Sequence, residues 1–146
     1  MEQAQGILEG LDERQRTAAT TLQGPVRIIA GAGAGKTRTV TRRIAYACAT
    51  GAWKPERVLA VTFSVKAAAE MRARLGQLGV GGGTERSGLG AGTAGVTAAT
   101  FHSAALHQLN SVWADICEAP FPHVIEDQRD VVSRAIIRAT ARTDAD

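Results

Sequence analysis

The sequence feature that most constrains the fold is the segment A-G-A-G-A-G-K-T at positions 30–37. It follows a compact apolar run, Val26–Ala30, and precedes a stretch in which Val40, Ile44 and Cys48 recur every four residues. Strand, glycine-rich loop and helix in this order predict a phosphate-binding loop, because glycines let backbone N–H groups turn toward phosphate oxygens at a helix N-terminus. The pattern G-x-x-x-x-G-K-[S/T] is met except at its first position, where Ala30 stands.

The residues of this loop have predicted roles in binding a nucleoside triphosphate. Lys36 is expected to reach the β- and γ-phosphates as a point charge. The hydroxyl of Thr37 is expected to ligate the Mg²⁺ ion that bridges the same phosphates, so both residues are candidates for catalytic function. Backbone contacts to the nucleotide are expected from the six residues before them, Ala30, Gly31, Ala32, Gly33, Ala34 and Gly35.

Strand and helix signals alternate along the chain, which predicts an α/β fold with a parallel sheet. Buried strands are predicted at Val26–Ala30, Val58–Phe63 and Val96–Phe101. Helices are predicted as a short one capped by Asp12, one ending near Gly51, and others over Val65–Leu78, His102–Trp113 and the stretch from Val131 to Ala139.

A second glycine-rich stretch, Gly79–Gly95, holds half of the 16 glycines of the chain. No Lys-Ser or Lys-Thr follows it and no apolar strand precedes it, so it is not expected to bind phosphate. Such a composition buries too little apolar surface to offset its ordering entropy. It is therefore predicted to be a mobile surface loop.

Length and composition limit the remaining possibilities. The 146 residues have the length of one domain, and 45% hydrophobic with 21% charged residues is an ordinary globular mixture. The net charge of +3 is only weak support for a polyanionic partner, because the basic residues are nearly all arginine. No apolar run approaches the ~18 residues of a membrane span. Cys48 and Cys117 stand apart without a CxxC pair, which predicts a reduced cytoplasmic protein without a zinc site.

Three further motifs flank the phosphate loop in a fixed order. They are L-D-E-R-Q-R-T-A-A at 11–19, A-V-T-F-S-V-K-A-A-A-E-M at 60–71 and A-T-F-H-S at 99–103. Together with the loop they resemble the N-terminal ATPase portion of the UvrD/Rep/PcrA-type (superfamily 1) DNA helicases. The resemblance covers roughly 11–112, and that family also commonly has alanine at the first position of its phosphate loop.

This resemblance implies a fold and a function for the chain. The fold would be a partial RecA-like P-loop NTPase core with a parallel sheet in residues 1–113, followed by the start of a helical inserted subdomain in 114–146. The function would belong to an ATP-driven motor with 3′-to-5′ polarity that uses ATP and Mg²⁺. Its partners would be single-stranded or partially duplex DNA and the remainder of the helicase chain, including a second ATPase core.

The resemblance also assigns roles to individual residues. Gln15 would read adenine, since one amide both donates to and accepts from the edge of that base. Arg38 would lie near the nucleotide. Phe63 would stack on a base of single-stranded DNA, although its pattern equally allows a residue that closes its strand into the core. The full set of residues implied to contact DNA is Thr62, Phe63, Lys66, Thr100, His102 and Ser103.

Two local patterns each allow a second interpretation. Ser103 beside His102 could suggest a hydrolase nucleophile, but no G-x-S-x-G surrounds it. The segment H-V-I-E-D-Q-R-D at 123–130 is superficially similar to the acidic strand end of these helicases. Its apolar run is too short for a central strand, so Asp127 is predicted to cap the last helix instead. Val65 stands where the family usually has asparagine.

The acidic motif that holds Mg²⁺ and the arginines of a second core, which the family needs for hydrolysis, are not found in the sequence. The chain is therefore expected to be the N-terminal segment of a larger helicase and not to be catalytic by itself. The alternatives are a non-catalytic nucleotide- or DNA-binding module, a decayed helicase fragment, or the N-terminus of a helicase–nuclease. An open reading frame past Asp146 that encodes the acidic motif would favour the first interpretation.

Overall fold

The computed structural model describes residues 2–81, 95–122 and 128–143. The chain divides into two compact units, Met1–Gln108 and Leu109–Asp146. In chain order the elements are α1 (Glu2–Ile7), α2 (Glu13–Thr20), α3 (Lys36–Ala49), a short 3-10 helix (Pro55–Arg57), β1 (Leu59–Thr62), α4 (Val65–Gln77), β2 (Thr97–Thr100), α5 (Phe101–Ile116) and α6 (Gln128–Thr143).

The two strands form a small parallel sheet, which confirms the strands predicted around 58–63 and 96–101. Their register runs from Leu59 opposite Thr97 to Thr62 opposite Thr100. An isolated parallel bridge joins Gly81, after α4, to Val96, directly before β2. Because the strands are parallel, their carboxyl ends lie at the same edge of the sheet, and α4 and α5 both begin there.

The prediction of a buried strand at Val26–Ala30 is wrong. In the described residues this segment pairs with no strand, and its side chains alternate between half-buried and exposed positions. Ile29 is 81% exposed, although isoleucine is among the residues that proteins most often bury. A strand exists only through hydrogen bonds to a neighbour, and among the described residues β1 pairs with β2 alone.

The predicted surface loop also begins later than Gly79. The backbone N–H groups of Val80 and Gly81 both donate to the carbonyl of Leu75, at 3.0 and 3.1 Å. A Cβ added at Gly81 would lie 2.7 Å from the backbone nitrogen of Gly76, so this close turn requires glycine. Residues 82–94, which hold most of that predicted loop, lie outside the described residues, as does the predicted helix cap Asp127. Gly95, the last residue of the predicted surface loop, is buried.

The main core lies between the sheet and helices α3 and α4. It contains Ile44 from α3, Met71 and Leu75 from α4, Ala60 from β1, and Val96 directly before β2. The predicted apolar face of α3 is confirmed here, since Val40 and Cys48 pack against the same cluster. Burial of these side chains fixes α3, and with it the loop at its start, against the sheet.

Helix α1 has no counterpart in the sequence predictions, and the residues that follow it take part in a second, smaller core. Leu8 and Leu11 after α1 pack with Ala19 of α2, and Tyr46 of α3 borders them. This cluster holds α2 beside α3, which places the residues on either side of the glycine-rich loop next to each other.

Three arginines bind the carbonyl ends of the first two helices. Arg16 of α2 donates to the carbonyl of Leu8 at 3.3 Å, and Arg42 of α3 donates to that of Ile7. Cations are favourable at helix C-termini, where carbonyl groups lack helical partners. We call these contacts, with those of Arg43 described next, the arginine clamps.

Arg43 of α3 makes the most buried of these contacts. Its guanidinium donates to the carbonyl of Ala18 at 2.7 Å and to that of Thr21, and it lies 5.2 Å from the centre of the Trp53 ring. Burial lowers the pKa of Arg43 from its ordinary value. A guanidinium is not deprotonated in proteins, so Arg43 binds these carbonyls as a cation.

Candidate functional site

The predicted phosphate loop is a tight backbone turn at the start of α3. Gly33 and Gly35 both have φ of +75°, and Gly35 is the residue that directly precedes the helix. The N–H of Ala34 donates to the carbonyl of Gly31 at 3.4 Å within the turn. Positive φ costs an L-residue roughly 1–2 kcal/mol, so the glycines at these two positions allow the backbone to turn there.

Lys36 is the first residue of α3, and its ammonium lies over the loop. The Nζ atom donates to the carbonyl of Ala30 at 2.8 Å and to that of Gly31 at 2.6 Å. An ammonium has three donors, so it can hold the loop and still offer a hydrogen bond to an anion. Thr37, the next residue, is exposed at the same helix start. A cation, a hydroxyl and a helix N-terminus therefore converge on one exposed turn, which favours an anionic ligand.

Gln15 of α2 connects directly to this turn. Its Nε2 donates to the carbonyl of Ala34 at 3.1 Å, and its Oε1 accepts from Nη2 of Arg38 at 3.2 Å. The same Oε1 accepts from the backbone N–H of Asp12 at 3.2 Å, while the Asp12 carboxylate accepts from the N–H of Gln15 at 2.9 Å. This reciprocal capping box starts α2, so the side chain that tethers the loop is also fixed at its own helix end.

The glycine at the end of the loop is packed against this tether. A Cβ added at Gly35 would lie 3.1 Å from Nε2 of Gln15 and 3.7 Å from Nε of Arg38. The structure thus brings together the loop, Gln15 and Arg38, which the sequence places up to 23 positions apart. The sequence did not indicate that the Gln15 amide itself hydrogen-bonds to the loop.

The second predicted group lies where β1 meets α4. Ser64 caps α4 by accepting from the N–H of Ala67 at 3.2 Å, and the Thr62 hydroxyl donates to the carbonyl of Ser64 at 3.0 Å. Phe63, between them, is 92% exposed, so the alternative that it closes the strand into the core is wrong. Lys66 is exposed in the first turn of α4.

The ring of Phe63 has an aromatic neighbour that sequence reasoning missed. The centroids of the Phe63 and Phe101 rings are 5.1 Å apart, with an angle of 40° between the ring planes. Phe101 directly follows β2 as Phe63 directly follows β1, so a Thr-Phe dipeptide spans the end of each strand. This repeated dipeptide at the two strand ends is the signal that could have indicated the pair.

The third predicted group lies at the start of α5. Thr100 is buried, and its hydroxyl accepts from the N–H of Ser103 at 3.1 Å and donates to Oγ of the same residue at 2.9 Å. His102 and Ser103 are exposed. Thr100 therefore caps the helix, and the side chains that face solvent at this position are His102 and Ser103.

Metal-binding clusters, membrane-spanning helices and cysteines are the remaining features that could indicate a function. Within 2–81, 95–122 and 128–143, no three or more His, Cys, Asp and Glu side chains group closely enough to hold a metal ion. Over the same ranges, no helix combines the length and the apolar character needed to cross a membrane. Cys48 and Cys117 are both free thiols. Burial, and secondarily the negative charge of Glu56, raise the pKa of Cys48.

Comparison with known proteins identifies the class to which this site belongs. The profile of the UvrD/REP helicase N-terminal domain matches residues 11–145, nearly the whole chain. The chain therefore belongs to the family of UvrD/REP helicase N-terminal domains, as its motifs predicted.

Individual proteins that are similar in sequence to this chain are named as DNA helicases. The chain is 41% identical over 140 residues to the ATP-dependent DNA helicase UvrD2 of Mycobacterium tuberculosis (strain H37Rv), covering 96% of this chain and 19% of that protein. It is 41% identical over 97 residues to the ATP-dependent DNA helicase PcrA of Bacillus subtilis, covering 66% and 12%. It is 42% identical over 87 residues to DNA helicase II of Escherichia coli K12, covering 60% and 12%. The chain thus spans about a fifth or less of the length of these relatives.

Proposed function

We propose that this chain binds ATP with Mg²⁺ and single-stranded DNA as the N-terminal segment of a 3′-to-5′ DNA helicase. In this proposal residues 1–113 are the first part of a RecA-like ATP-binding domain, and 114–146 begin a helical inserted subdomain. Family membership and the names of the relatives support the proposal. The observation that carries it is the turn before α3, where Lys36 and Gln15 both bind the backbone of a glycine-rich loop.

In the nucleotide site, the loop residues would surround the triphosphate with backbone N–H groups. Lys36 would exchange one or both of its carbonyl bonds for phosphate oxygens, which are stronger acceptors because they carry charge. Gln15 and Arg38 would meet the base or its surroundings, since both lie against the same turn.

Thr37 is the residue that would hold Mg²⁺. Its hydroxyl fits the ion, because Mg²⁺ prefers oxygen ligands and usually keeps several waters beside one or two protein ligands and the phosphates. Bound there, the ion would neutralise charge on the phosphate oxygens. The side chain is exposed and directly follows Lys36, so both can face the same phosphates.

The proposed DNA contacts lie at the carboxyl edge of the sheet, where open α/β sheets commonly bind ligands. Phe63 offers a ring for base stacking, and Lys66, His102 and Ser103 offer donors to phosphates. Thr62 and Thr100 contribute by fixing the starts of α4 and α5, since their hydroxyls bind within those turns. A strand held in this way would be bound without preference for its sequence.

Hydrolysis of ATP needs more than this site provides. Lys36 and Thr37 can position phosphates, but attack on the γ-phosphate also requires an oriented water and charge stabilisation opposite the loop. We infer that the remainder of a helicase chain, including a second ATPase core, supplies these groups. A polypeptide of these 146 residues alone is then expected to bind ATP without appreciable turnover. DNA as the substrate and the free cysteines fit a cytoplasmic location.

The test is to replace Lys36 by alanine and to measure ATP–Mg²⁺ binding by calorimetry. Loss of a charge-assisted contact worth ~1.5–3 kcal/mol should weaken binding roughly 10- to 150-fold. Lys54→Ala is the matched control, because Lys54 is also an exposed lysine. It lies 17 positions after the loop in the sequence, and the described structure shows no hydrogen bond between its side chain and the loop. Unchanged ATP affinity in the Lys36 variant, with the fold intact by circular dichroism, would contradict the assignment of the loop.

A further inference from the structure

Each strand of the sheet ends in a threonine that is followed by a phenylalanine. Thr62 ends β1 and Phe63 follows it, Thr100 ends β2 and Phe101 follows it, and the register places Thr62 opposite Thr100. The two phenylalanines therefore follow the two strands at the same edge of the sheet, where their rings are in contact. The proposed function uses the first ring and leaves the second without a role.

The two phenylalanines differ in how far their side chains are exposed to solvent. Phe63 is 92% exposed, whereas Phe101 is 47% exposed, so Phe101 is partly held by its surroundings and Phe63 hardly at all. Their centroid distance of 5.1 Å and their 40° angle fall in the range of favourable aromatic pairs. Within the described residues, Phe101 is thus the aromatic neighbour of the Phe63 ring.

An exposed ring without such a neighbour samples several rotamers and loses that freedom when a base stacks on it. A neighbouring ring that restricts the rotamers beforehand removes part of this entropic cost. We propose that Phe101 is a positioning residue for single-stranded DNA, whose ring holds Phe63 in the orientation that accepts a base. This inference rests on the proposed function. Phe101 acts through Phe63 and does not itself touch the base.

The test is a double-mutant cycle on the affinity for single-stranded DNA. The probes are a short oligo-dT and a strand of the same length without bases, measured by fluorescence anisotropy at one salt concentration. Phe63→Ala should weaken oligo-dT binding by roughly 5- to 150-fold, the value of one stacked base. Phe101→Leu should weaken it by roughly two- to ten-fold, the value of an aromatic pair.

The decisive variant combines both changes. If Phe101 acts through Phe63, adding Phe101→Leu to Phe63→Ala causes no further loss. Binding of the base-free strand should be the same in all variants, because its phosphates are unchanged. Phe101→Tyr keeps the ring and should keep the affinity. Phe121→Leu is the control, since it removes a ring from another aromatic pair, in which the Phe121 and Trp113 centroids are 5.3 Å apart.

Each other outcome overturns the inference in a recognisable way. Equal losses from Phe101→Leu with and without Phe63 would make Phe101 an independent contact. A loss that extends to the base-free strand would show a structural role, and Phe101→Met repeats the test if the leucine variant does not fold. No loss at all would remove Phe101 from DNA binding. Failure of the unmodified chain to bind either strand would instead overturn the proposed function, and the inference with it.

Discussion

Replacing Gln15 by alanine tests how the nucleotide site is built. The substitution removes three hydrogen bonds of 3.1–3.2 Å, which join the Gln15 amide to Asp12, Ala34 and Arg38. A net hydrogen bond is worth about 0.5–1.5 kcal/mol, and these three are exposed to water, which puts each at the lower end. We therefore expect the free energy of unfolding to fall by about 1–2 kcal/mol.

The effect on ligands should depend on whether the ligand has a base. Inorganic triphosphate should bind roughly two- to ten-fold more weakly, because the loop loses its tether at Ala34. ATP should lose a further factor of roughly 5 to 150, since an amide that both donates to and accepts from a base is worth about 1–3 kcal/mol. Calorimetric titration of Gln15→Ala with both ligands measures the two losses separately.

Asp12→Ala provides the matched control for this variant. It breaks the capping box from the other side and leaves the Gln15 side chain in place. It should lower stability without changing the ratio of ATP to triphosphate affinity. Equal losses for both ligands in Gln15→Ala would refute the base-reading role and leave Gln15 as a structural tether. A preference for ATP over GTP that survives the substitution would refute it as well.

Two further predictions concern the loop and a thiol. Gly35→Ala should weaken ATP binding, because the added Cβ would press on the Gln15 amide. Gly51→Ala is the control, since it also places alanine at positive φ but in open space. It should lower the free energy of unfolding by about 1–2 kcal/mol and leave ATP binding unchanged. In a Cys117→Ser background, Cys48 should react with iodoacetamide more slowly than a free thiol at pH 8, because its raised pKa leaves less thiolate. Glu56→Gln should speed the reaction by lowering that pKa, and an unchanged rate would contradict the charge effect.

The parts of the fold that the sequence could predict depend on local signals. Asp12 and Gln15 are three residues apart and form a capping box, and the four-residue spacing from Val40 to Cys48 marks the buried face of α3. The segment Val26–Ala30 has the composition of a strand, but pairing depends on a neighbour that no local pattern reveals. Helix α1 was missed because its six residues carry little periodicity.

The candidate site also has parts that a local motif predicts and parts that depend on how the helices pack. The loop and Lys36 follow from a motif of eight consecutive residues. The tether from Gln15 joins residues 19 and 23 positions apart, and their contact arises only once α2 packs beside α3. The exposure of Phe63 likewise depends on how far the fold extends around the strand end, which composition does not determine.

The arginine clamps limit where the protein can move. The carboxyl ends of α1 and α2 are bound by side chains of α2 and α3, so neither carboxyl end can fray without breaking bonds to a neighbouring helix. Local opening of this region should then involve the three helices as one cooperative unit. Arg43 binds the carbonyl of Thr21, and α3 begins at Lys36. The described structure shows no arginine bound to a backbone carbonyl between these two residues. We expect any rearrangement that accompanies the proposed nucleotide binding to fall mainly in this segment, between two anchored ends.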